Sequence, residues 1–299
     1  MQSWQTTYVD STDGVRVASY DFGGDGPLVV LCHATGFCGL AWLPMVEALR
    51  RELPVPARLV ALDFRGHGAT GLPDGVSLAW GGMADDLAAV IDHYSAQAGQ
   101  PVGPVWAVGH SMGGAAIILG ETARPGLVSR AWTFEPILLR HGPVLTGEGA
   151  PAIAVGARAR RARFVSRQEA YDRYASRPPL SLLDPRALAA YVEHGFADDP
   201  DGDGVMLRCQ PEHEASVFEH HNAGTFEAAE ALSMPIVVAA SGDGGDPAEW
   251  VRSAADLNPR LTLVNYPDLT HFGPLQEPDR LAVDVALFFQ GDLGSRSDG

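Results

Sequence analysis

Positive charge is scarce in this sequence: its 299 residues carry 21 basic against 37 acidic side chains, a formal net charge of −16. Nucleic acid and anionic membrane surfaces both call for a basic face, so the balance argues against either as a partner and reads instead as solubility. Cysteine is scarce too. Cys32, Cys38 and Cys209 are an odd number in no metal-ligand spacing. No apolar run approaches the roughly 18 to 20 residues that span a bilayer, and the opening "MQSWQTTYVDSTDG" lacks the charged and apolar regions of a signal peptide. These absences lead to the expectation of a reduced, cytoplasmic protein. Internal repeats are absent, and the one low-complexity stretch, the polar "GDLGSRSDG" within 291–299, is expected to be a disordered tail.

What is present is core-forming material, with 46% hydrophobic and 8% aromatic residues. "TTYVD" and "VRVASYDF" alternate like hairpin strands around the turn signal "STDG". Continuous apolar runs follow: "PLVVLCH", "RLVALDF", "PVWAVGH", "SRAWTFE", "PIVVAAS" and "RLTLVNY", which suit strands buried on both faces of a sheet. Amphipathic segments separate them, among them "GGMADDLAAVIDHYSAQ" and "EPDRLAVDVALFFQ". Strand and helix in alternation specify a mostly parallel sheet covered on both faces. The alternation fails between Leu138 and Phe226, where "SRQEAYDRYAS" opens on a capping-box pattern and "DPRALAAYVEHGF" reads as a second helix. The expected organisation is a core of residues 1–137 and 227–290 with a helical cap, 138–226, inserted over one end of the sheet.

In an open α/β sheet, ligands bind at the carboxyl ends of the strands. "Gly-His-Ser-Met-Gly", residues 109 to 113, stands at such an end and matches G-x-S-x-G, where glycines flank a sharp turn that holds the Ser111 hydroxyl out. The helix that follows supplies backbone N–H groups and a positive dipole end beside a developing oxyanion. At this point the sequence resembles the α/β-hydrolase superfamily, over nearly all of its length outside the insertion. The resemblance implies an α/β-hydrolase fold: an eight-stranded, mostly parallel sheet flanked by helices, with the cap after strand 6. "LCHATGF" looks like the family's loop after the third strand, which makes Thr35 the second oxyanion N–H donor beside that of Met112, although Ala34 replaces the usual glycine. "DFRGHG", Asp63 to Gly68, is similar to the turn after the fourth strand, where Arg65 and His67 are expected to brace loops.

A serine hydroxyl is a poor nucleophile at neutral pH and needs a base. The resemblance places that base at His271, in "DLTHFGPLQEPDRL"; His33 and His110 are expected to pack or bond locally. For the carboxylate, alternatives stand. Asp243 lies at the end of the penultimate strand, where the family most often keeps its acid, and Asp246 sits further along the same loop. Glu135 closes the strand after the nucleophile helix, where some branches of the family carry it. A charge at the end of an apolar buried strand costs several kcal/mol unless it is paired, so Glu135 is expected to have a partner, with His271 one candidate.

Other clusters read more plainly. "DDPDGDGVMLRCQ" starts like a calcium loop with Asp199, Asp201 and Asp203, but Gln210 stands where the bidentate glutamate belongs, so a turn is expected. His213, His220 and His221 show no three-ligand spacing. Arg158, Arg160, Arg161 and Arg163 form a solvated helix face or, more pointedly, offer one arginine to a substrate carboxylate. The expected reaction is hydrolysis of a carboxylic ester or lactone of a small molecule through an acyl-enzyme, with no metal or other cofactor, by a monomer or homodimer. Carbon–carbon bond hydrolysis, cofactor-free perhydrolysis on the same triad, and a receptor-like member that holds a small ligand remain as alternatives. Ser111 at the elbow disfavours epoxide hydrolase and dehalogenase chemistry, which in this family uses an aspartate there.

Overall fold

The N-terminal alternation folds as its periodicity requires. In the computed structural model, which describes residues 3–97 and 103–291, β1 (Gln5–Asp10) and β2 (Arg16–Asp21) form an antiparallel hairpin with Gln5 opposite Asp21. The apolar runs become β3 (Leu28–Cys32), β4 (Arg58–Leu62), β5 (Val105–His110) and β6 (Arg130–Phe134). The helices between them are α1 (Leu43–Glu52), α2 (Trp80–Gln97) and α3 (Met112–Ala123).

After β6 the chain leaves the sheet and forms α4 (Ala152–Arg158), β7 (Arg163–Phe164), α5 (Arg167–Ala175), α6 (Pro185–His194), β8 (Phe196–Asp198), β9 (Val205–Leu207) and α7 (Pro211–Glu219). It then rejoins the sheet through α8 (Thr225–Glu230), β10 (Ile236–Ser241), α9 (Ala248–Ala255) and β11 (Leu261–Tyr266), and ends in α10 (Gly273–Gln276) and α11 (Pro278–Gln290).

The eight long strands lie in the order β1-β2-β4-β3-β5-β6-β10-β11. The β2–β4 pair is antiparallel and every pair from β4 onward is parallel, as βαβ crossovers demand. Both faces are covered. Against one pack α2, α3, α8 and α9, around Val30, Ile117 and Val238; against the other pack α1 and α11, around Leu31, Trp132 and Val285. The interior strands β3, β5 and β10 are therefore buried throughout and mostly apolar, whereas β11, at the sheet edge, leaves Thr262 and Asn265 exposed.

The inserted segment contains strands as well as helices, since β7, β9 and β8 form a small antiparallel sheet. Sequence patterning did not reveal strands of two or three residues, too short to show a period of two. The α5 start does carry its cap, with Ser166 Oγ accepting from the Glu169 N–H at 3.1 Å. Helix α8 spans the expected boundary at residue 226, and its Ala228 and Ala229 join the sheet-side core. The expected disordered tail lies, beyond Gly291, outside the described residues. No described helix is long and apolar enough to cross a membrane.

Candidate active site

Ser111 sits between β5 and α3 with φ 55° and ψ −118°, a left-handed conformation that costs a non-glycine residue about 1–3 kcal/mol. The turn is held by what surrounds it: the Ser111 N–H donates to the Phe134 carbonyl at 3.0 Å, and the Ser111 carbonyl accepts from Ala115 at 3.1 Å. The glycines of the motif are explained by close approach. A Cβ on Gly109 would lie 2.7 Å from the Gly114 Cα, and one on Gly113 would lie 2.2 Å from the Cys32 carbonyl oxygen and 2.7 Å from that of His33. Strand, elbow and the loop after β3 are thus in backbone contact. Ser111 is 7% exposed.

That loop carries Thr35, itself nearly buried. His33 fixes it from below, since Nδ1 bonds the Ala34 carbonyl at 2.8 Å and Nε2 accepts from the Phe64 N–H at 3.1 Å. An acceptor at Nε2 requires the neutral ring, and burial pushes the His33 imidazole down to about 4. Met112 is the first residue of α3, so its N–H has no intrahelical acceptor.

His271 lies in the turn between β11 and α10, beside the elbow: its ring centroid is 5.0 Å from that of His110, the residue before Ser111. Its Nδ1 is 2.6 Å from Glu135 Oε2. Glu135 Oε1 accepts from the Ser241 N–H at 2.7 Å, and the Glu135 N–H donates to the Ala239 carbonyl at 2.8 Å. The Glu135 side chain is fully buried and its backbone adopts φ 42°. Burial alone pushes its carboxyl up, but the bonds and charge of His271 and the Ser241 N–H outweigh that and hold it below the usual carboxylate range.

The expected partner for Glu135 is therefore found, and it is His271. Asp243 occupies a different place: it is exposed, and its Oδ2 accepts from the backbone N–H of His271 at 3.0 Å. One carboxylate meets the imidazole and the other holds the turn that carries it. Asp246 is exposed in the same loop.

Sequence reasoning missed the part played by His110. Its Nε2 donates to the His271 carbonyl at 2.7 Å, a contact across the sheet end rather than a local one. Burial, then the neighbouring His271, hold the His110 ring well below its ordinary value, so it stays neutral. No signal in the sequence foretells this bond, because it joins residues far apart in the chain.

Arg65 and His67 occupy bracing positions. The Arg65 guanidinium makes a two-point contact with Asp86 through Nε at 3.0 Å and Nη2 at 2.8 Å, both side chains essentially unexposed. His67 Nδ1 bonds the Arg65 carbonyl at 3.0 Å. In the calcium-like loop, Asp199 and Asp201 are both taken by Arg163, and the loop joins β8 to β9 as a turn. Arg160 is not on a solvated face: it bonds Glu214 at 2.8 Å and the Tyr191 hydroxyl at 2.6 Å, and Tyr191 in turn donates to the Gly36 carbonyl of the Thr35 loop at 3.1 Å.

Comparison with known proteins agrees with this architecture. Protein phosphatase methylesterase 1 of Mus musculus is 38% identical over 130 residues, 40% of this chain and 32% of the relative. The human protein of that name is 36% identical over 130 residues with the same shares. The aligned region thus spans about a third of the length of these curated relatives. Among solved structures, an E-2-(acetamidomethylene)succinate hydrolase superposes with a TM-score of 0.79 at 20% identity, covering 96% of this chain and 100% of that one. An enol-lactonase from Burkholderia xenovorans LB400 gives 0.68 at 19% identity, covering 95% and 100%. At such identities the likeness is one of fold. Residues 29–285, from β3 into α11, match the alpha/beta hydrolase family as a whole. The sheet order, the serine elbow and that match together make this chain a member of the alpha/beta hydrolase family.

Proposed function

We propose that the protein hydrolyses a carboxylic ester of a small molecule through an acyl-enzyme on Ser111. The observation that carries the reading is the chain Ser241 N–H, Glu135, His271 beside a serine held at positive φ at the head of a helix. Glu135 fixes the proton on Nδ1 of His271, which leaves Nε2 as the base. His271 takes the Ser111 proton as Oγ attacks the carbonyl carbon. The N–H groups of Thr35 and Met112 hold the oxyanion of the tetrahedral intermediate. Collapse expels the alcohol, which receives the proton from His271. Water then attacks the acyl-enzyme with the same histidine as base, releasing the acid and restoring Ser111. Acyl transfer of this kind requires no metal or organic cofactor.

The name methylesterase borne by the curated relatives supports an ester as substrate, and a small leaving alcohol within that class. In this reading residues 138–226 act as a cap that bounds the acyl pocket, with Arg160 and Tyr191 tying it to the oxyanion loop. The test is hydrolysis of p-nitrophenyl esters from acetate to decanoate, with methyl esters of the same acids, by the wild type beside Ser111→Ala. Removing the nucleophile is expected to lower kcat by about 10⁶-fold with an unchanged circular dichroism spectrum. Turnover retained by Ser111→Ala would refute the assignment.

A further inference from the structure

The inserted segment contains a cavity, lined by arginines and apolar side chains, that the ester chemistry does not use. It has a volume of about 290 Å³ and is lined by Arg160, Arg161, Arg173 and Arg177, with Phe164 and Tyr174 among its apolar walls. Neither Ser111, His271, Glu135, Thr35 nor Met112 borders it. Four arginines lining one small cavity are unexpected in a chain with an excess of acidic residues.

The pairing of these arginines is uneven. Arg160 is committed to Glu214 and Tyr191, and Arg161 to Glu169 with its guanidinium carbon 4.3 Å from the Phe164 ring centroid. Arg173 and Arg177 are different. Among the described residues their guanidinium groups have no hydrogen-bond, ion-pair or ring partner, and Arg173 only feels the field of Glu169. Among the described arginines Arg260 alone shares that condition. Nearly every other described arginine has an acidic or carbonyl partner, so two unpaired ones lining a single cavity is the feature that calls for explanation. Arg173 stands in the last turn of α5 and Arg177 four residues on, where the Arg177 N–H still bonds the Tyr174 carbonyl at 3.3 Å. Residues four apart on a helical path share a face. Cations that line one cavity repel one another, and an oxyanion bound there offsets that repulsion while accepting charge-assisted hydrogen bonds.

We propose that this cavity is a binding site for an oxyanion, a carboxylate or phosphate, carried by a compact ligand with a flat apolar body. Arg173 and Arg177 hold the anion, Arg160 and Arg161 add their field, and Phe164, Tyr174 and Leu180 cover the apolar part. The volume is at the lower end of small-molecule sites and accommodates a single ring with its anionic group. The site is separate from Ser111 and does not depend on the reaction assigned to it. Through Arg160 and Tyr191 its occupant is two hydrogen bonds from the Gly36 carbonyl.

The experiment is calorimetric titration of the full chain with phenyl phosphate and with benzoate at constant ionic strength. The variants are Arg173→Gln, Arg177→Gln, their double and, as a control for an unpaired arginine elsewhere, Arg260→Gln. Both mutated arginines of the site are exposed, and thermal melts check that each variant folds. Saturable binding that weakens about tenfold or more in each single variant, vanishes in the double and is unchanged in Arg260→Gln supports the site. Tighter binding of phenyl phosphate assigns it to phosphate, and tighter binding of benzoate to carboxylate. No saturable binding to the wild type, or equal binding by the double variant, overturns it.

Discussion

Replacing Glu135 by Gln separates the two carboxylates that flank His271. In the wild type the Glu135 side chain is fully buried, with Oε2 2.6 Å from His271 Nδ1 and Oε1 2.7 Å from the Ser241 nitrogen, both of these partners being donors. An amide cannot accept twice on opposite sides. If its oxygen stays with Ser241, its NH₂ faces Nδ1, so the imidazole proton must move to Nε2, where it can no longer take the Ser111 proton. If it turns round, NH₂ meets the Ser241 N–H and a buried donor is left unsatisfied, at about 1–3 kcal/mol. The wrong tautomer is the milder loss for stability and the graver one for catalysis, about 10⁴-fold in kcat where such an exchange has been made in a serine triad, or about 5.4 kcal/mol of transition-state stabilisation at 1.36 kcal/mol per decade. The comparison is Asp243→Asn. Asp243 is exposed and accepts only the His271 backbone N–H, a bond that an asparagine oxygen can keep, so less than tenfold is expected. Both variants are measured for kcat on p-nitrophenyl acetate beside their melting temperatures. A larger loss in Asp243→Asn than in Glu135→Gln would refute the assignment of Glu135 as the triad acid.

Four further outcomes are expected. Because the Glu135 carboxyl is held below its unfolded value, its contribution to stability is full above the ordinary glutamate range near about 4.3 and is lost as pH falls through the lowered folded value. Melting temperatures from pH 7 down to pH 3 should therefore fall less steeply in Glu135→Gln, and parallel curves would count against the pairing. His110→Phe leaves the His271 carbonyl without its 2.7 Å donor and should cost about 1–3 kcal/mol in denaturant unfolding, with a loss in kcat but little change in KM; unchanged stability would show the bond to be dispensable. Gly113→Ala places a Cβ 2.2 Å from the Cys32 carbonyl oxygen, so soluble folded protein should be lost, and a variant that melts like the wild type would contradict the close approach. Arg65→Leu strands the buried Asp86 charge and should destabilise by about 3–5 kcal/mol, read from chemical denaturation.

The strands and helices of the core were legible because each apolar run is bounded by turn residues and separated from the next by an amphipathic segment, so local pattern and global fold agree. Deviations occur where the pattern is too short or the neighbour too remote. The strands β7, β8 and β9 hold two or three residues each, below the length at which alternation is visible. The arginines of "ARARRARF" look alike in sequence, yet Arg160 is drawn into a buried cluster by Glu214 and Tyr191 while Arg163 binds the loop after β8. Nothing in a run of like charges says which member will find which partner.

The sequence by itself determined the serine elbow, since only glycines fit on either side of a turn whose backbone touches the Cys32 and Gly114 backbones, and it determined a parallel sheet with a histidine after its last strand. Which of the two carboxylates, Glu135 or Asp243, meets the His271 ring is visible only in three dimensions. Both end strands of the same sheet, and those strands, β6 and β10, are neighbours with Phe134 opposite Ala239. Their two carboxylates therefore emerge side by side at one sheet end, both within reach of the turn that bears His271. Which one meets the ring depends on a difference of direction: the positive φ at Glu135 turns its side chain inward beneath the imidazole, while Asp243, two residues past the end of β10, is carried outward to the backbone of the turn. A difference of that size is set by strand pairing and a single backbone dihedral, neither of which leaves a mark on residue type.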